Sequence, residues 1–101
     1  MVFLKSQRDA YGEALLELAQ KNERVLALTA DLASSTRIEK FARFFPERFF
    51  NMGVAEQNAV AVAAGLALEG FIPFLSSFAV FLPGRCFDQI RVAVCQNKAN
   101  V

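Results

Sequence analysis

Glu56 is the residue of this sequence with the strongest case for acid–base chemistry. It stands in Gly53-Val-Ala-Glu-Gln-Asn, at a predicted junction between a strand and a helix. A glutamate in a first helical turn is often no more than a good partner for the helix dipole. The run from Ala59 to Leu68, apolar apart from one glycine, favours a second interpretation, in which the carboxylate emerges from a buried element. The pattern by itself leaves both interpretations open.

Several other side chains have types that suit ligand binding. Phe78 and Phe81 could form a crevice wall against a flat heteroaromatic ligand, or could be two core aromatics among the 11 phenylalanines. The segment from Asp31 to Thr36 offers a carboxylate and several hydroxyls, including that of Ser35, although an ordinary capped turn has the same composition. Arg8 taken alone would be a solvated residue in the first turn of a helix.

Composition excludes several kinds of site. The 101 residues include no histidine, which removes the usual serine or cysteine triad, and no glycine-rich motif for a nucleotide phosphate. A metal site would need carboxylates alone, and these are dispersed, so we predict none in this chain. The 11 basic and 10 acidic residues nearly cancel and are scattered, which argues against a nucleic-acid or membrane partner. For Cys86 and Cys95 we expect two reduced core thiols in a cytoplasmic protein.

Helix and strand patterns alternate along the chain and predict an α/β protein. Helices are expected at 8–21, 37–45, 55–68 and 85–95, and strands at 25–30, 49–52 and 71–75, with a further strand approached within 97–101. Short buried strands between helices indicate an open parallel sheet flanked by helices. Such sheets bind ligands beyond the carboxyl ends of their strands. Asp31, Glu56 and the segment from Ser76 to Phe81 follow the strands, so a site is predicted at that edge.

The same residues resemble the pyrimidine-binding domain of transketolase over the length of the chain. Any one matching segment would be weak, but their order and spacing together are specific. The resemblance implies a thiamine-diphosphate-binding fold of the pyrimidine-domain type. It also implies that residues 1–101 are the N-terminal part of that domain, so the fold is expected to be incomplete and the chain truncated. The matching segments are Ala30-Asp-Leu-Ala-Ser-Ser, Pro46-Glu-Arg-Phe-Phe-Asn-Met-Gly-Val-Ala-Glu-Gln-Asn, Ala63-Ala-Gly-Leu-Ala, Pro73-Phe-Leu-Ser-Ser-Phe-Ala-Val-Phe and Phe87-Asp-Gln-Ile-Arg.

The resemblance implies a catalytic role for Glu56. It matches the family's glutamate that hydrogen-bonds a ring nitrogen of the thiamine aminopyrimidine. That contact favours the imino tautomer, whose nitrogen removes the proton from the thiazolium carbon, while the protein supplies orientation and proton placement. Phe78 and Phe81 match the aromatic residues that stack on the aminopyrimidine.

Four further positions carry over from the family. Asp31 and Val54 match positions near the thiazolium and the bend of the cofactor. Arg8 and Ser35 match positions that contact the phosphate of a sugar-phosphate substrate, where a guanidinium and a hydroxyl are suitable groups. The resemblance therefore implies a transferase that moves a two-carbon ketol unit between sugar phosphates.

Two departures from the family pattern limit what this chain can do alone. The diphosphate-and-magnesium motif, Gly-Asp-Gly followed later by asparagine, is absent, and in this family it belongs to a different domain. The cofactor of the family lies between domains of two chains. A diphosphate-binding domain or subunit that holds Mg²⁺ is therefore the expected partner, in a homo- or hetero-oligomer. Pro83-Gly84 also stands where some transketolases carry a third aromatic residue.

Other interpretations of the sequence remain open. Deoxyxylulose-phosphate synthase shares the Gly-x-Ala-Glu-Gln motif, but it usually has a histidine where Asn58 stands, and the Ser-Phe-Ala-Val-Phe segment favours transketolase. The β subunit of a 2-oxo-acid dehydrogenase lacks the Glu-Gln-Asn sequence. A non-catalytic interaction module or inert fragment is a further alternative, because a three-stranded sheet with an uncovered edge is a marginal fold by itself.

Overall fold

Three short strands pair side by side in one parallel sheet. The computed structural model describes residues 4–101. Its strands are β1 (Val25–Thr29), β2 (Phe49–Asn51) and β3 (Ile72–Ser76), in the spatial order β2-β1-β3. Ala27 at the centre of β1 is level with Phe49 of β2 and Phe74 of β3. The first strand in the sequence is therefore the central one, and all five of its residues are buried. Because both faces of β1 are buried, its residues from Val25 to Leu28 are all apolar.

Helices cover both faces of the sheet. The α-helices are α1 (Gln7–Lys21), α2 (Glu39–Phe44), α3 (Glu56–Leu68) and a short α4 (Phe87–Gln89), which continues as a π-helix over Ile90–Gln96. Single 3₁₀ turns occupy Pro46–Arg48 and Gly84–Cys86. None of the helices within residues 4–101 combines the length and the apolar character that crossing a bilayer requires.

Alternate residues of β1 build two separate cores. Val25 and Ala27 point to one face, where they pack with Leu15 of α1 and Phe41 of α2. On the other face Leu26 and Leu28 pack against Ala63 of α3. This division follows from the two-residue period of a strand, which sends successive side chains to opposite faces.

A close approach joins α1 to the loop after β1. Gly12 in α1 is buried, and a Cβ atom at this position would overlap the carbonyl oxygen of Arg37 and lie 3.0 Å from the Arg37 Cβ. The Arg37 Nε donates a hydrogen bond of 2.8 Å to the Asp9 carboxylate of the same helix. Glycine is required here because only a residue without a side chain lets the loop backbone come this near.

The predicted open parallel α/β sheet is confirmed, and the order and type of its strands and first three helices agree with the sequence. The segment 85–95 is helical as predicted, but it is divided into a 3₁₀ turn, an α-helical turn and a π-helix. Residues 97–101 are not extended, and the Asn97 amide donates to the carbonyls of Val92 and Ala93. Lys98 then takes φ 53°, and the chain folds back onto the end of the helix instead of extending.

Candidate functional site

The carboxyl ends of all three strands meet at one edge of the sheet, because the strands are parallel. Asp31 follows β1, Val54 and Glu56 follow β2, and Phe78 follows β3. The structure thus brings the polar and aromatic residues predicted from the sequence to a single edge. This is the position at which open α/β sheets hold their ligands.

Asn51, which the sequence analysis did not single out, ties two loops of this edge together. Its Oδ1 accepts hydrogen bonds of 3.0 Å from the backbone N–H groups of Asp31 and Gly53. Its Nδ2 donates to the Asp31 carboxylate at 3.4 Å. Asp31 and Gly53 both have positive φ angles, 63° and 73°. The loop that leads to Glu56 is therefore held against the loop after β1. The sequence signal that could have identified Asn51 is an asparagine at the end of a strand, two positions before a glycine.

Glu56 is the first residue of α3, and its carboxylate is buried. The side chain is 7% exposed, and its Oε1 lies 3.5 Å from Nη1 of Arg85. Together with Val54 and Arg85, it lines a cavity of about 410 Å³. A buried carboxylate ordinarily needs hydrogen-bonding partners. A single long ion pair leaves capacity on both oxygens for a ligand that enters this cavity.

Phe78 and Phe81 form a stacked pair next to this cavity. Their ring centroids are 5.8 Å apart with an interplanar angle of 29°. Phe78 is 43% exposed, so it is not a core residue. The guanidinium of Arg85 lies over the Phe81 ring, 4.2 Å from its centroid. The pair can therefore offer an aromatic face to a flat ligand at the same edge as Glu56.

A second, larger cavity is lined by one member of the phenylalanine pair. It has a volume of about 550 Å³ and is lined by Arg8, Ser35 and Phe78, among others. The Arg8 Nη1 donates a hydrogen bond of 3.2 Å to the Ser35 carbonyl, so the two residues predicted to share a phosphate do lie together. Phe81 contacts Phe78, which lines this cavity, and Arg85, which lines the smaller one.

Tyr11 is a further residue of the larger cavity that the sequence analysis missed. Its hydroxyl hydrogen-bonds the Ser76 hydroxyl at the end of β3. Burial raises the pKa of the Tyr11 phenol, and the hydrogen bond with Ser76 opposes this in part. The phenol is therefore neutral at physiological pH and can donate a hydrogen bond within the cavity. Asp31 lines neither cavity and is exposed.

The two cysteines have different environments, which corrects the prediction of two core thiols. Cys86 is fully buried next to Arg85, and its Sγ lies 3.4 Å from the Phe81 carbonyl oxygen. Cys95 is exposed in the π-helix. Both are free thiols, as expected. Burial raises the pKa of the Cys86 thiol, the Glu56 carboxylate raises it further, and the Arg85 guanidinium opposes these effects.

This difference predicts the reactivity of the two thiols. Because its pKa is raised, the Cys86 thiol stays protonated at neutral pH. A protonated thiol is a much weaker nucleophile than a thiolate. We therefore expect an aromatic disulfide reagent to react rapidly with Cys95 and slowly with Cys86 in the folded chain. In denaturant both should react at one rate. Two equally fast thiols in the folded chain would show that Cys86 is not buried.

The part of the chain covered by the structure, from residue 4 onward, holds no group of three or more His, Cys, Asp or Glu side chains that could bind a metal ion. The groups at or next to the smaller cavity are the buried Glu56 carboxylate, the two aromatic rings, apolar Val54 and the Arg85 guanidinium, which is already paired with Glu56. Such a set suits a heteroaromatic ring with a hydrogen-bonding nitrogen better than it suits a phosphate or a cation.

Comparisons with known proteins identify the family of this chain. The family model for the pyrimidine-binding domain of transketolase matches residues 5–101. A protein of Methanocaldococcus jannaschii, provisionally described as a transketolase C-terminal section, is 53% identical over 97 residues, which cover 96% of this chain and 31% of that protein. A 1-deoxy-D-xylulose-5-phosphate synthase of Listeria monocytogenes is 48% identical over 87 residues, which cover 86% of this chain and 14% of the synthase.

A solved structure has the same fold. It is a split-gene transketolase in the form of an inactive β4 tetramer, with a TM-score of 0.84 and 57% sequence identity. The match covers 93% of this chain and 31% of that one. This chain therefore spans less than a third of the length of the relatives it matches. The family match extends over nearly all of its sequence, and the chain belongs to the family of transketolase pyrimidine-binding domains.

Proposed function

We propose that this chain binds and activates the aminopyrimidine of thiamine diphosphate in a transketolase that moves a two-carbon ketol unit between sugar phosphates. The transketolase and deoxyxylulose-phosphate synthase families depend on thiamine diphosphate. The observation that carries the proposal is the buried Glu56 carboxylate, which lines a cavity at the strand edge beside a stacked phenylalanine pair.

Each part of the edge has a proposed task toward the cofactor. Glu56 hydrogen-bonds a ring nitrogen and sets where the proton lies, while Phe78 and Phe81 stack on the ring and exclude water. Val54 and Asp31 lie toward the bend and the thiazolium. When it is bound, the cofactor supplies the carbanion chemistry that no amino-acid side chain provides.

The larger cavity is the proposed place for the substrate phosphate. Arg8 supplies the charge, and Ser35 and Tyr11, which line the same cavity, are candidates to donate hydrogen bonds from their hydroxyls. A guanidinium with neighbouring hydroxyls is a common arrangement for a phosphate. Because Phe78 also lines this cavity, a sugar phosphate held there would lie next to the cofactor ring.

A partner must complete the site. The sequence lacks a diphosphate motif, so we propose that a diphosphate-binding domain or subunit, which also holds Mg²⁺, faces this edge. Large apolar side chains are exposed in the segments that follow β2 and β3, with Val54 at 74%, Val80 at 66% and Phe87 at 74%. Exposed apolar surface of this kind is typical of surfaces that another chain or domain covers. The split-gene relative supports association with another subunit.

The alternative activity is that of 1-deoxy-D-xylulose-5-phosphate synthase. Its members reach 48% identity with this chain, so the alternative has real support. Asn58 stands where that family usually has a histidine, and the relatives described as transketolases are 53% and 57% identical. The two activities can be told apart by assay of the assembled enzyme. If it forms 1-deoxy-D-xylulose 5-phosphate and does not transfer a ketol unit between sugar phosphates, its activity is that of the synthase.

Calorimetry of thiamine diphosphate tests the proposal. We expect no micromolar binding by the isolated chain, because it holds only the pyrimidine half of the site. Binding should appear when a partner with the Gly-Asp-Gly motif and Mg²⁺ is added. The partner alone is the matched control, and it should bind more weakly than the mixture. Micromolar binding by the isolated chain, or no gain on mixing, would contradict the proposed division of the site.

A further inference from the structure

Arg85 contacts two of the proposed cofactor residues at once. Its Nη1 lies 3.5 Å from the Glu56 Oε1, and its Cζ lies 4.2 Å from the centroid of the Phe81 ring. The arginine side chain is 54% exposed, whereas the glutamate side chain is 7% exposed. The guanidinium therefore lies at the mouth of the smaller cavity, and the carboxylate lies at its inner wall.

The backbone of Arg85 is anchored to the element that carries Glu56. Gln57, the next residue of α3, donates from Nε2 to the Arg85 carbonyl at 2.9 Å. The neighbouring Cys86 is fully buried, and its Sγ is in hydrogen-bonding contact with the Phe81 carbonyl. Arg85 is thus held at both ends, by its backbone to α3 and by its guanidinium on the aromatic ring. A long surface arginine without such contacts would sample many rotamers.

The geometry of a guanidinium explains what this anchoring achieves. The group is planar, so it can lie against an aromatic ring and still direct an N–H toward a carboxylate in its own plane. At 3.5 Å the contact with Glu56 is longer than a strong charge-assisted hydrogen bond. It restricts the rotation of the carboxylate while leaving its other lone pairs accessible. Proton transfer depends steeply on such orientation.

We propose that Arg85 is a positioning residue that holds the Glu56 carboxylate in the orientation in which it meets the aminopyrimidine. The inference rests on the proposed function of Glu56 and goes beyond it, because it assigns a role to a side chain that acts through the Glu56 carboxylate. Phe81 takes part by fixing the guanidinium. The three side chains form a unit in which the aromatic ring orients the arginine and the arginine orients the acid.

Variants of Arg85 in the assembled enzyme test this role. In Arg85→Met, which keeps an unbranched apolar stem and removes the guanidinium, we expect kcat to fall about 10- to 100-fold. Thiamine diphosphate should also bind more weakly by calorimetry. Arg85→Lys restores the charge without the planar fork, so it should recover part of kcat. Arg91→Met is the matched control, because Arg91 is also 54% exposed and pairs with the exposed Asp88 at 2.8 Å. It should behave as wild type.

A double-mutant cycle with Glu56→Gln separates positioning from a general structural effect. If Arg85 acts through the carboxylate, Arg85→Met weakens cofactor binding in the wild-type background and adds nothing in the Glu56→Gln background. Equal losses in the two backgrounds would overturn the proposal, and so would wild-type kcat in Arg85→Met. Tighter cofactor binding in Arg85→Met would also overturn the proposal. It would mean that the Arg85 guanidinium competes with the aminopyrimidine ring for Glu56 or Phe81. If Arg85→Met does not fold, the same double-mutant cycle is carried out with Arg85→Lys, and the same outcomes support or overturn the proposal.

Failure of the proposed function gives a different result. In that case the wild-type assembly does not bind thiamine diphosphate, or Glu56→Gln keeps full turnover, before any Arg85 variant is measured. The positioning role would then fall together with the function. If both of these controls behave as proposed, wild-type behaviour of Arg85→Met refutes the role of Arg85 alone.

Discussion

Replacement of Glu56 by alanine is expected to lower kcat of the assembled enzyme by about 1,000-fold, within the range typical for loss of an acid–base group. The variant loses the carboxylate that we propose sets the proton on the aminopyrimidine ring. The fold should persist, because Glu56 stands at the start of α3 and its side chain makes one long ion pair. Removal of a buried carboxylate is often tolerated when its partner can return to solvent, and Arg85 is half-exposed.

Steady-state kinetics with a ketose-phosphate donor and an aldose-phosphate acceptor measure this effect. Circular dichroism and a melting curve check that the variant is folded. Glu69 supplies the matched control, because it is an exposed glutamate at the other end of the same helix. Glu69→Ala should keep wild-type turnover. Unchanged kcat in Glu56→Ala would end the hypothesis that this carboxylate is catalytic.

Replacement of Gly12 by alanine is expected to destabilise the fold by about 3 kcal/mol, at the upper end of the range for overpacked interiors. The new methyl group would overlap the carbonyl oxygen of Arg37, which belongs to the backbone and is not the end of a flexible side chain. Arg37 cannot move away freely, since it has φ 64° and its side chain is held by Asp9 at 2.8 Å and the Ser34 carbonyl at 2.9 Å.

Denaturant unfolding of the variant and the wild type measures the difference in free energy of unfolding. Gly65→Ala is the control, because the added Cβ meets nothing within 4 Å and the residue lies inside α3. That substitution should stabilise the chain by about 0.5–1 kcal/mol through helix propensity. Equal unfolding midpoints for Gly12→Ala and the wild type would refute the close approach. Where the variant folds, the displaced loop should carry Ser35 away from Arg8.

Local patterns in the sequence were sufficient to predict the three strands, the first three helices and the edge at which the strands end. The run from Val25 to Thr29 is buried on both faces, so its first four residues are apolar, and this pattern identifies a strand. Gly53 and Pro46 mark the ends of their neighbouring elements in the same direct way. Parallel strands then bring the residues that follow them to one edge, whatever the order of the strands.

Contacts between residues far apart in the sequence had no such pattern. The ion pair of Glu56 with Arg85 joins positions 29 residues apart, and the hydrogen bond of Tyr11 with Ser76 joins positions 65 apart. The alternatives for Phe78, core or crevice wall, depended on its exposure, which only packing determines. The exposure of Cys95 and the return of the chain at Asn97 depended likewise on how the last helix ends.

The sequence by itself determined which residues of this chain follow its strands, because hydrophobic period and turn residues act over a few positions. It also determined the family, through the order and spacing of several short segments. The tertiary structure alone decided the strand order β2-β1-β3, the division of the edge into two cavities and the contact of Arg85 with both Glu56 and Phe81. These features arise from packing between elements, which depends on the whole fold and leaves no local signature in the chain.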